Sequence, residues 1–208
     1  MRIAEPTVER LVQYHRLLEQ LSSEGRKVVS SQEIGQMLSL KASQVRKDLS
    51  YFGEIGKRGV GYHVDRLFAH VSEILASPKK WPIALVGVGR LGEALLGHRA
   101  FRSEKFDIQA LFDIAPEKIG TKIMGIPCYH MDSAADVIRK MGIQVIILTV
   151  PSSVAQSCVD NLTSVGGVRG ILNFSPVSIV TPPDVLVYSV DISVELEKLL
   201  FYLKDCEE

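Results

Sequence analysis

Three features of the 208-residue sequence predict an α/β protein in two parts. Apolar residues fall mainly at helical spacing up to about residue 79. An apolar run, "PIALV", then meets a glycine-spaced turn and a helical stretch, "GVGRLGEALL". Beyond it, apolar strand-like runs alternate with helical segments as far as residue 190, the pattern of a doubly wound parallel sheet with helical crossovers. Pro78 and Pro82 bracket the boundary, because proline ends helices and biases its predecessor toward extended backbone. The expected division is 1–79, 80–190 and a closing helix over 191–208.

Composition sets the class. A hydrophobic fraction of 46% with 23% charged residues is that of a globular chain. No run approaches the ~18 uninterrupted apolar residues of a membrane span, and Glu5 and Glu9 stand where a signal peptide needs an apolar core. A cytoplasmic protein is expected. Cys128, Cys158 and Cys206 are widely spaced and form no CxxC pair, which points to reduced thiols rather than a disulfide framework or zinc site. Overall neutrality hides an asymmetry: residues 1–79 carry 12 Lys+Arg against 9 Asp+Glu, and the remainder 12 against 15.

In the first part, Val8, Leu11, Val12, His15, Leu18 and Leu21 recur at helical spacing after Pro6, and Gly25 stops that helix. "SSQEIGQML" opens a second helix with Ser30 or Ser31 as N-cap. After the break "SLKAS", Ser43 is expected to cap a third, "QVRKDLSYF". Its face Val45, Leu49 and Phe52 is apolar, while Gln44, Arg46, Lys47, Ser50 and Tyr51 project elsewhere. Two short helices joined by a tight turn, the second with a basic face, form the helix-turn-helix pattern. The segment "GEIGKRGVGYHV" is too glycine-rich for a helix, and Gly59 or Gly61 can turn a hairpin carrying Lys57 and Arg58. A basic hairpin after a helix-turn-helix describes a winged-helix domain. Ser43, Gln44, Arg46, Lys47, Ser50, Tyr51, Lys57, Arg58 and Gly59 are the expected DNA-binding residues, with Arg46 placed to read a base edge.

In the second part, Ile83 to Val86 form a buried strand ending on Gly87-x-Gly89-x-x-Gly92. Gly87 permits the turn, Gly89 lets backbone approach a pyrophosphate, and Gly92 lets helix and strand pack closely. The helix N-terminus offers N–H groups to phosphate. Val88 and Arg90 line the loop, with Arg90 either a phosphate contact or a solvent-facing helix residue, and Leu91 is a further cofactor-binding candidate. Asp113 ends the next strand, Ile108 to Phe112, 21 residues beyond Gly92. A carboxylate there accepts hydrogen bonds from ribose hydroxyls and repels a 2′-phosphate, which favours NADH and NAD+ over their phosphorylated counterparts. The run "IQVIILTVP" is read as a strand from Ile143 to Pro151, followed by a helix capped by Ser152 or Ser153. "VRGILNFSP" and "DVLVYSVD" supply two more strands of this Rossmann-like sheet. Thr149, Val150, Pro151 and Asn173, at the carboxyl ends of strands, are further cofactor-binding candidates, and Phe174 and Ser175 are candidates for the nicotinamide side with them.

No catalytic residue and no metal site emerge. His15, His63, His70, His98 and His130 are scattered, and nothing supplies a Ser-His-Asp or metal-spaced cluster. Residues 191–208 make one helix with Ile192, Leu196, Leu199, Leu200 and Leu203 in a stripe, leaving no second domain for a substrate. That stripe either covers the sheet or packs on a second subunit. The competing reading is a small NAD-dependent dehydrogenase with a helical N-terminal appendage.

At "SQVRKDLSYFGEIGKRGVGYHV", "VGVGRLGEALL", "FDIAPEKIG" and "ILNFSPV" the chain resembles the Rex family of redox-sensing transcriptional repressors over nearly its whole length. The resemblance implies a homodimer whose winged helices bind a palindromic operator in double-stranded DNA, whose Rossmann domains bind NADH or NAD+, and whose C-terminal helix is exchanged between subunits. It implies release from DNA by NADH. It also implies that Asp191, in "VDIS", joins an intersubunit switch contact, and that His98 stands where some members carry a tyrosine.

Overall fold

The computed structural model describes residues 4–53, 56, 60–77, 79–101 and 105–204. The chain divides into two compact units, Met1–Pro78 and Lys79–Glu208.

The first unit opens with α1 (Glu5–Ser23), with Pro6 in its first turn. Gly25 takes φ +75, so the Arg26 N–H returns to the Leu21 carbonyl at 2.9 Å and closes the helix. The buried stripe of α1 is Leu11, Tyr14, Leu18 and Leu21. Val8 and Val12, expected on that face, are exposed, because the stripe follows Tyr14 around the helix. A two-residue strand β1 (Val28–Val29) leads to α2 (Ser31–Met37). Ser30 is its N-cap in a full capping box, accepting from the Glu33 N–H while the Glu33 carboxylate accepts from the Ser30 N–H. Gly35 sits inside α2 because the following turn crosses it: an added Cβ would lie 2.5 Å from the Leu40 carbonyl oxygen.

Helix α3 (Ala42–Tyr51) begins earlier than the sequence suggested. The Lys41 carbonyl already accepts from the Gln44 and Val45 N–H groups, so Ser43 lies within the first turn and is not the cap. Strand β2 (Tyr62–His63) pairs antiparallel with β1, and Gly61, at φ +92, passes so close that a Cβ would meet the Val29 carbonyl at 2.7 Å. Helix α4 (Val64–Ile74) completes the unit. Val45, Leu49, Val64, Leu67 and Val71 join the α1 stripe in one core. Lys57, Arg58 and Gly59, the expected wing tip, lie outside the described residues.

The second unit is a seven-stranded sheet. Its members are β3 (Trp81–Val86), β4 (Phe106–Asp113), β5 (Lys122–Ile123), β6 (Ile126–His130), β7 (Val145–Leu148), β8 (Gly170–Asn173) and β9 (Leu186–Ser189), in the spatial order β5-β6-β4-β3-β7-β8-β9. All pairs are parallel except the edge hairpin β5–β6. Helices α5 (Arg90–Gly97), α6 (Ala134–Met141) and α7 (Ser152–Ser164) are crossovers, and α8 (Ile192–Lys204) follows the last strand. Alternation along β3 feeds two cores: Ala84 and Val86 face one, Ile83 and Leu85 the other. Both faces are therefore covered, as a parallel sheet requires.

Two expectations are revised. Strand β7 is shorter than Ile143–Pro151, since Ile143 precedes the ladder and the chain turns after Leu148 toward the glycine loop. Helix α7 has Pro151 at its N-cap with no side-chain cap, and Ser152 and Ser153 stand exposed in its first turn.

Candidate nucleotide site and nucleic-acid interface

The strand order reverses at β3: the chain fills one side through β4 and β6, then crosses to β7 on the other. Ligands of such sheets bind outside the carboxyl ends of the strands at this switch point. The loop Gly87–Gly92 lies there. Gly87 has φ +90, and a Cβ on it would meet the Thr149 carbonyl oxygen at 2.8 Å and Val150 Cγ1 at 2.9 Å. Gly92 is closed in the same way, with a notional Cβ only 2.4 Å from the Gly87 carbonyl oxygen. Gly89 differs. Nothing lies within 4 Å of its notional Cβ, and it is the N-cap of α5. Two glycines thus permit internal packing, while the third keeps an open face beside a helix N-terminus. That cradle fits a dinucleotide pyrophosphate.

Neighbouring side chains hold the loop. The Thr149 hydroxyl donates to the carbonyls of Val86 and Gly87, at 3.0 and 2.6 Å. Val88 is buried, and its N–H donates to Asp113 Oδ2 at 2.9 Å. Arg90 and Leu91 are exposed on the first turn of α5. Asp113 Oδ1 accepts from the Ile114 and Ala115 N–H groups at 2.7 and 3.0 Å. Lys118 donates both to the Val88 carbonyl and, at 3.3 Å, to Asp113 Oδ2. Burial works to raise the Asp113 carboxyl, but the three backbone donors and the Lys118 charge outweigh it and hold it below the usual carboxylate range. Lys118 is the one member of this group that sequence reasoning missed. Its contact depends on how "DIAPEKIG" folds back on the loop, which no spacing rule encodes.

The remaining candidates are less tightly gathered. Pro151 is exposed at the start of α7. Asn173 is fully buried, with its amide donating to the Val177 carbonyl and Ser189 Oγ and its oxygen accepting from the Ser175 N–H. Asp191 accepts from the Ser193 N–H and hydroxyl at 2.9 and 2.6 Å, bonds that hold its carboxyl below the usual value. His98 ends α5 and accepts from the Ala100 N–H at 3.2 Å.

On α3, Ser43, Arg46, Lys47, Ser50 and Tyr51 are exposed and Gln44 is half-buried. Arg46 donates to Ser31 Oγ at 3.0 Å, which links the exposed face of α3 to the start of α2. The only acid of α3, Asp48, is 3% exposed and turned inward. It accepts from Arg10 at Oδ1 (2.9 Å) and Oδ2 (2.5 Å), from the Tyr14 hydroxyl (2.8 Å) and from Gln44 Nε2 (2.7 Å). Burial raises the Asp48 carboxyl, yet these donors and the Arg10 charge overcome it and leave it low. The Tyr14 hydroxyl is pushed up, by burial and by its bond to Asp48. The outer face of α3 is thereby left with bases and no exposed acid. Among the described residues no group of three or more His, Cys, Asp or Glu is placed to hold a metal.

A helix-turn-helix unit with a basic exposed helix, joined to a Rossmann unit with an open glycine cradle, defines the class of nucleotide-binding DNA-binding proteins. Comparison with known proteins agrees. A family model described as "Putative DNA-binding protein N-terminus" matches residues 2–50, and one described as "CoA binding domain" matches residues 78–177. The redox-sensing transcriptional repressor Rex of Listeria welshimeri is 39% identical over 98% of this chain and 94% of its own. That of Roseiflexus sp. is 42% identical over 97% and 93%. The crystal structure of RSP in complex with β-NAD+ and operator DNA superposes with TM-score 0.89 at 32% identity, over 100% of this chain and 95% of that one. RSP in complex with β-NADH gives 0.88 at 31%, over 100% and 97%. The chain belongs to the Rex family of redox-sensing transcriptional repressors.

Proposed function

We propose that this chain is a dimeric repressor that binds operator DNA through α3 and is released from it by NADH, and so reports the NADH/NAD+ ratio. The observation that carries the reading is the pairing, in one chain, of an open glycine cradle with a basic helix freed of its own acid. Relatives of the same fold have been crystallised with β-NAD+ and operator DNA and with β-NADH. The relatives are named as repressors, not as enzymes.

In this reading residues 1–79 bind DNA, residues 80–190 bind NAD(H), and residues 191–208 form the helix exchanged in the homodimer. The nicotinamide dinucleotide supplies a ligand whose two redox forms differ in charge and ring shape. Gly87, Gly89, Gly92 and the α5 N-terminus receive the pyrophosphate, with Val88, Arg90 and Leu91 lining the loop. Asp113 faces the adenosine ribose; Thr149, Val150, Pro151 and Asn173 border the nicotinamide side, and Asp191 joins the subunit contact. Arg46 reads a base edge, with Ser43, Gln44, Lys47, Ser50 and Tyr51 on the same helix and Lys57, Arg58 and Gly59 in the wing.

The helix α8 supports the dimer. It buries none of its residues within the chain, and Ile192, Leu196, Leu199, Leu200, Phe201 and Tyr202 are all more than half exposed. An apolar surface of that kind marks an interaction site. A two-fold dimer presents two recognition helices to a palindrome with half-sites ~34–36 Å apart or a multiple of that. A DNA-binding role places the protein in the cytoplasm; among the described residues no helix is long and apolar enough to cross a membrane.

Two binding measurements test the reading. NADH fluorescence should change saturably on adding the protein. A duplex selected by the protein from a randomised pool should be retained with an affinity that falls steeply with salt. Absence of either binding contradicts the proposal.

A further inference from the structure

Gln44 and Asp48 stand four residues apart on α3, one turn from each other, and Gln44 Nε2 donates to Asp48 Oδ1 at 2.7 Å. The carboxylate that takes this bond is held from α1: Oδ1 also accepts from Arg10 at 2.9 Å, and Oδ2 accepts from Arg10 at 2.5 Å and from the Tyr14 hydroxyl at 2.8 Å. An ionised carboxylate only accepts, so it takes the nitrogen end of a neighbouring amide and refuses the oxygen end. The amide of Gln44 is thereby oriented, nitrogen toward Asp48 and oxygen away from it.

An amide nitrogen carries two hydrogens. One is engaged by Asp48; among the described residues the other, and the acceptor Oε1, meet no partner. Gln44 is half-buried in the first turn of α3, beside exposed Ser43 and Lys47. The N-terminal residues of a recognition helix are the ones that reach base edges. A donor and an acceptor side by side on one planar group match adenine in the major groove, which accepts at N7 and donates from N6. Guanine presents two acceptors there instead. Arg46, a group with donors only, cannot supply the acceptor that the adenine amino group needs.

Building on the DNA-binding reading above, we infer that Gln44 is a specificity-determining residue that reads one adenine in each half-site, and that Asp48 is the positioning residue that orients its amide. Arg10 and Tyr14 act through Asp48 and touch no base. The acid of α3 thus has two effects: its inward turn clears the outer face of negative charge, and its oxygen aims an amide at the groove.

The test measures binding of the full-length protein, at one salt concentration, to the selected duplex and to versions with each base pair of the half-site replaced in turn. For the unaltered protein, replacing one A·T pair should weaken binding about tenfold, and 7-deazaadenine at that position, which lacks N7, should weaken it at least about threefold. Gln44→Met keeps the length of the side chain without its polar ends. It should bind these duplexes within about twofold of one another and leave the penalties at every other pair as they were. Gln44→Glu, an acceptor repelled by Asp48, should move the preference at that pair to cytosine, whose N4 amino group donates. Asp48→Asn can offer either end to Gln44 and should cut the tenfold preference to about threefold or less, with the salt slope unchanged. In the free protein the Gln44 side-chain amide should be ordered on the nanosecond scale, with an NMR order parameter above about 0.6.

Equal weakening of every duplex by Gln44→Met, as loss of a phosphate contact or damage to α3 gives, overturns the inference. A preference lost at a G·C pair, or one at A·T that survives Gln44→Met, overturns it too. Full preference in Asp48→Asn overturns the positioning role; should that variant fail to fold, a mobile Gln44 amide in the unaltered protein overturns it instead. Retention of no duplex at all overturns the DNA-binding reading itself, and the inference with it.

Discussion

Replacing Arg10 by Met tests the arrangement that turns the acid of α3 inward. Among the described residues Arg10 is the one cation on Asp48, with contacts to both carboxylate oxygens, while Tyr14 and Gln44 contribute neutral donors. Removing one partner of a buried pair destabilises by about 3–5 kcal/mol. Asp48 is 3% exposed but the Arg10 side chain is 19% exposed, and two donors remain, so the lower end applies: about 3 kcal/mol, or some two orders of magnitude in opening equilibrium. Native-state hydrogen exchange reads this out, because amides of α1 and α3 should lose about that much protection while amides of β3 and β4 keep theirs.

The pH dependence has a definite sign. In the unaltered protein the Asp48 carboxyl is depressed, so its contribution is present above the unfolded value near ~3.9 and is lost as pH falls through the folded value. Without Arg10, burial dominates and raises the carboxyl, and the variant then gains from protonation as pH falls. The gap between the two proteins should be widest near neutrality and should close below about pH 4. Protection of α3 within about threefold of the unaltered protein at pH 7 would refute the reasoning.

Further outcomes follow from the same geometry. Gly89→Ala, whose methyl group meets open space, should fold with unchanged thermal stability yet bind NADH at least tenfold more weakly; Gly92→Ala, directed 2.4 Å from a carbonyl oxygen, should lose stability as well as binding. Calorimetry and NADH titration separate the two. Lys47→Ala should weaken binding to every duplex alike and reduce the magnitude of the salt slope by about one. Leu200→Glu, on the exposed face of α8, should shift sedimentation from dimer toward monomer while each chain keeps its sheet.

The sheet and the cradle were legible because each rests on local pattern. Ile83–Val86 reads as a buried strand, and the glycines follow it at a spacing that only a strand–turn–helix satisfies. The helix-turn-helix was legible in outline for the same reason. What escaped depends on contacts across the chain. Nothing local marks Asp48 as a buried acid, because the groups that draw it inward, Arg10 and Tyr14, lie 38 and 34 residues away. Lys118 had no signal, since its reach to Val88 spans 30 residues. Hairpin β5–β6 was silent because β5 has two residues and its turn places Met124 at φ 51, where a bulky side chain is rarely found. Helix α6 did carry a local signal that was passed over: Ala134, Val137, Ile138 and Met141 fall at helical spacing and pack on the core. Exposed Val8 and Val12 show the converse: helical spacing names a face, and packing decides how wide it is.

The central claim is a coupling between the glycine cradle and α3, and one comparison tests it most directly. Binding of the selected duplex is measured for the nucleotide-free, NAD+-saturated and NADH-saturated protein at one salt concentration. The account predicts that NADH weakens DNA binding relative to NAD+ by at least about tenfold, or 1.4 kcal/mol. Equal affinity in all three states, with NADH binding verified in the same samples, would contradict it.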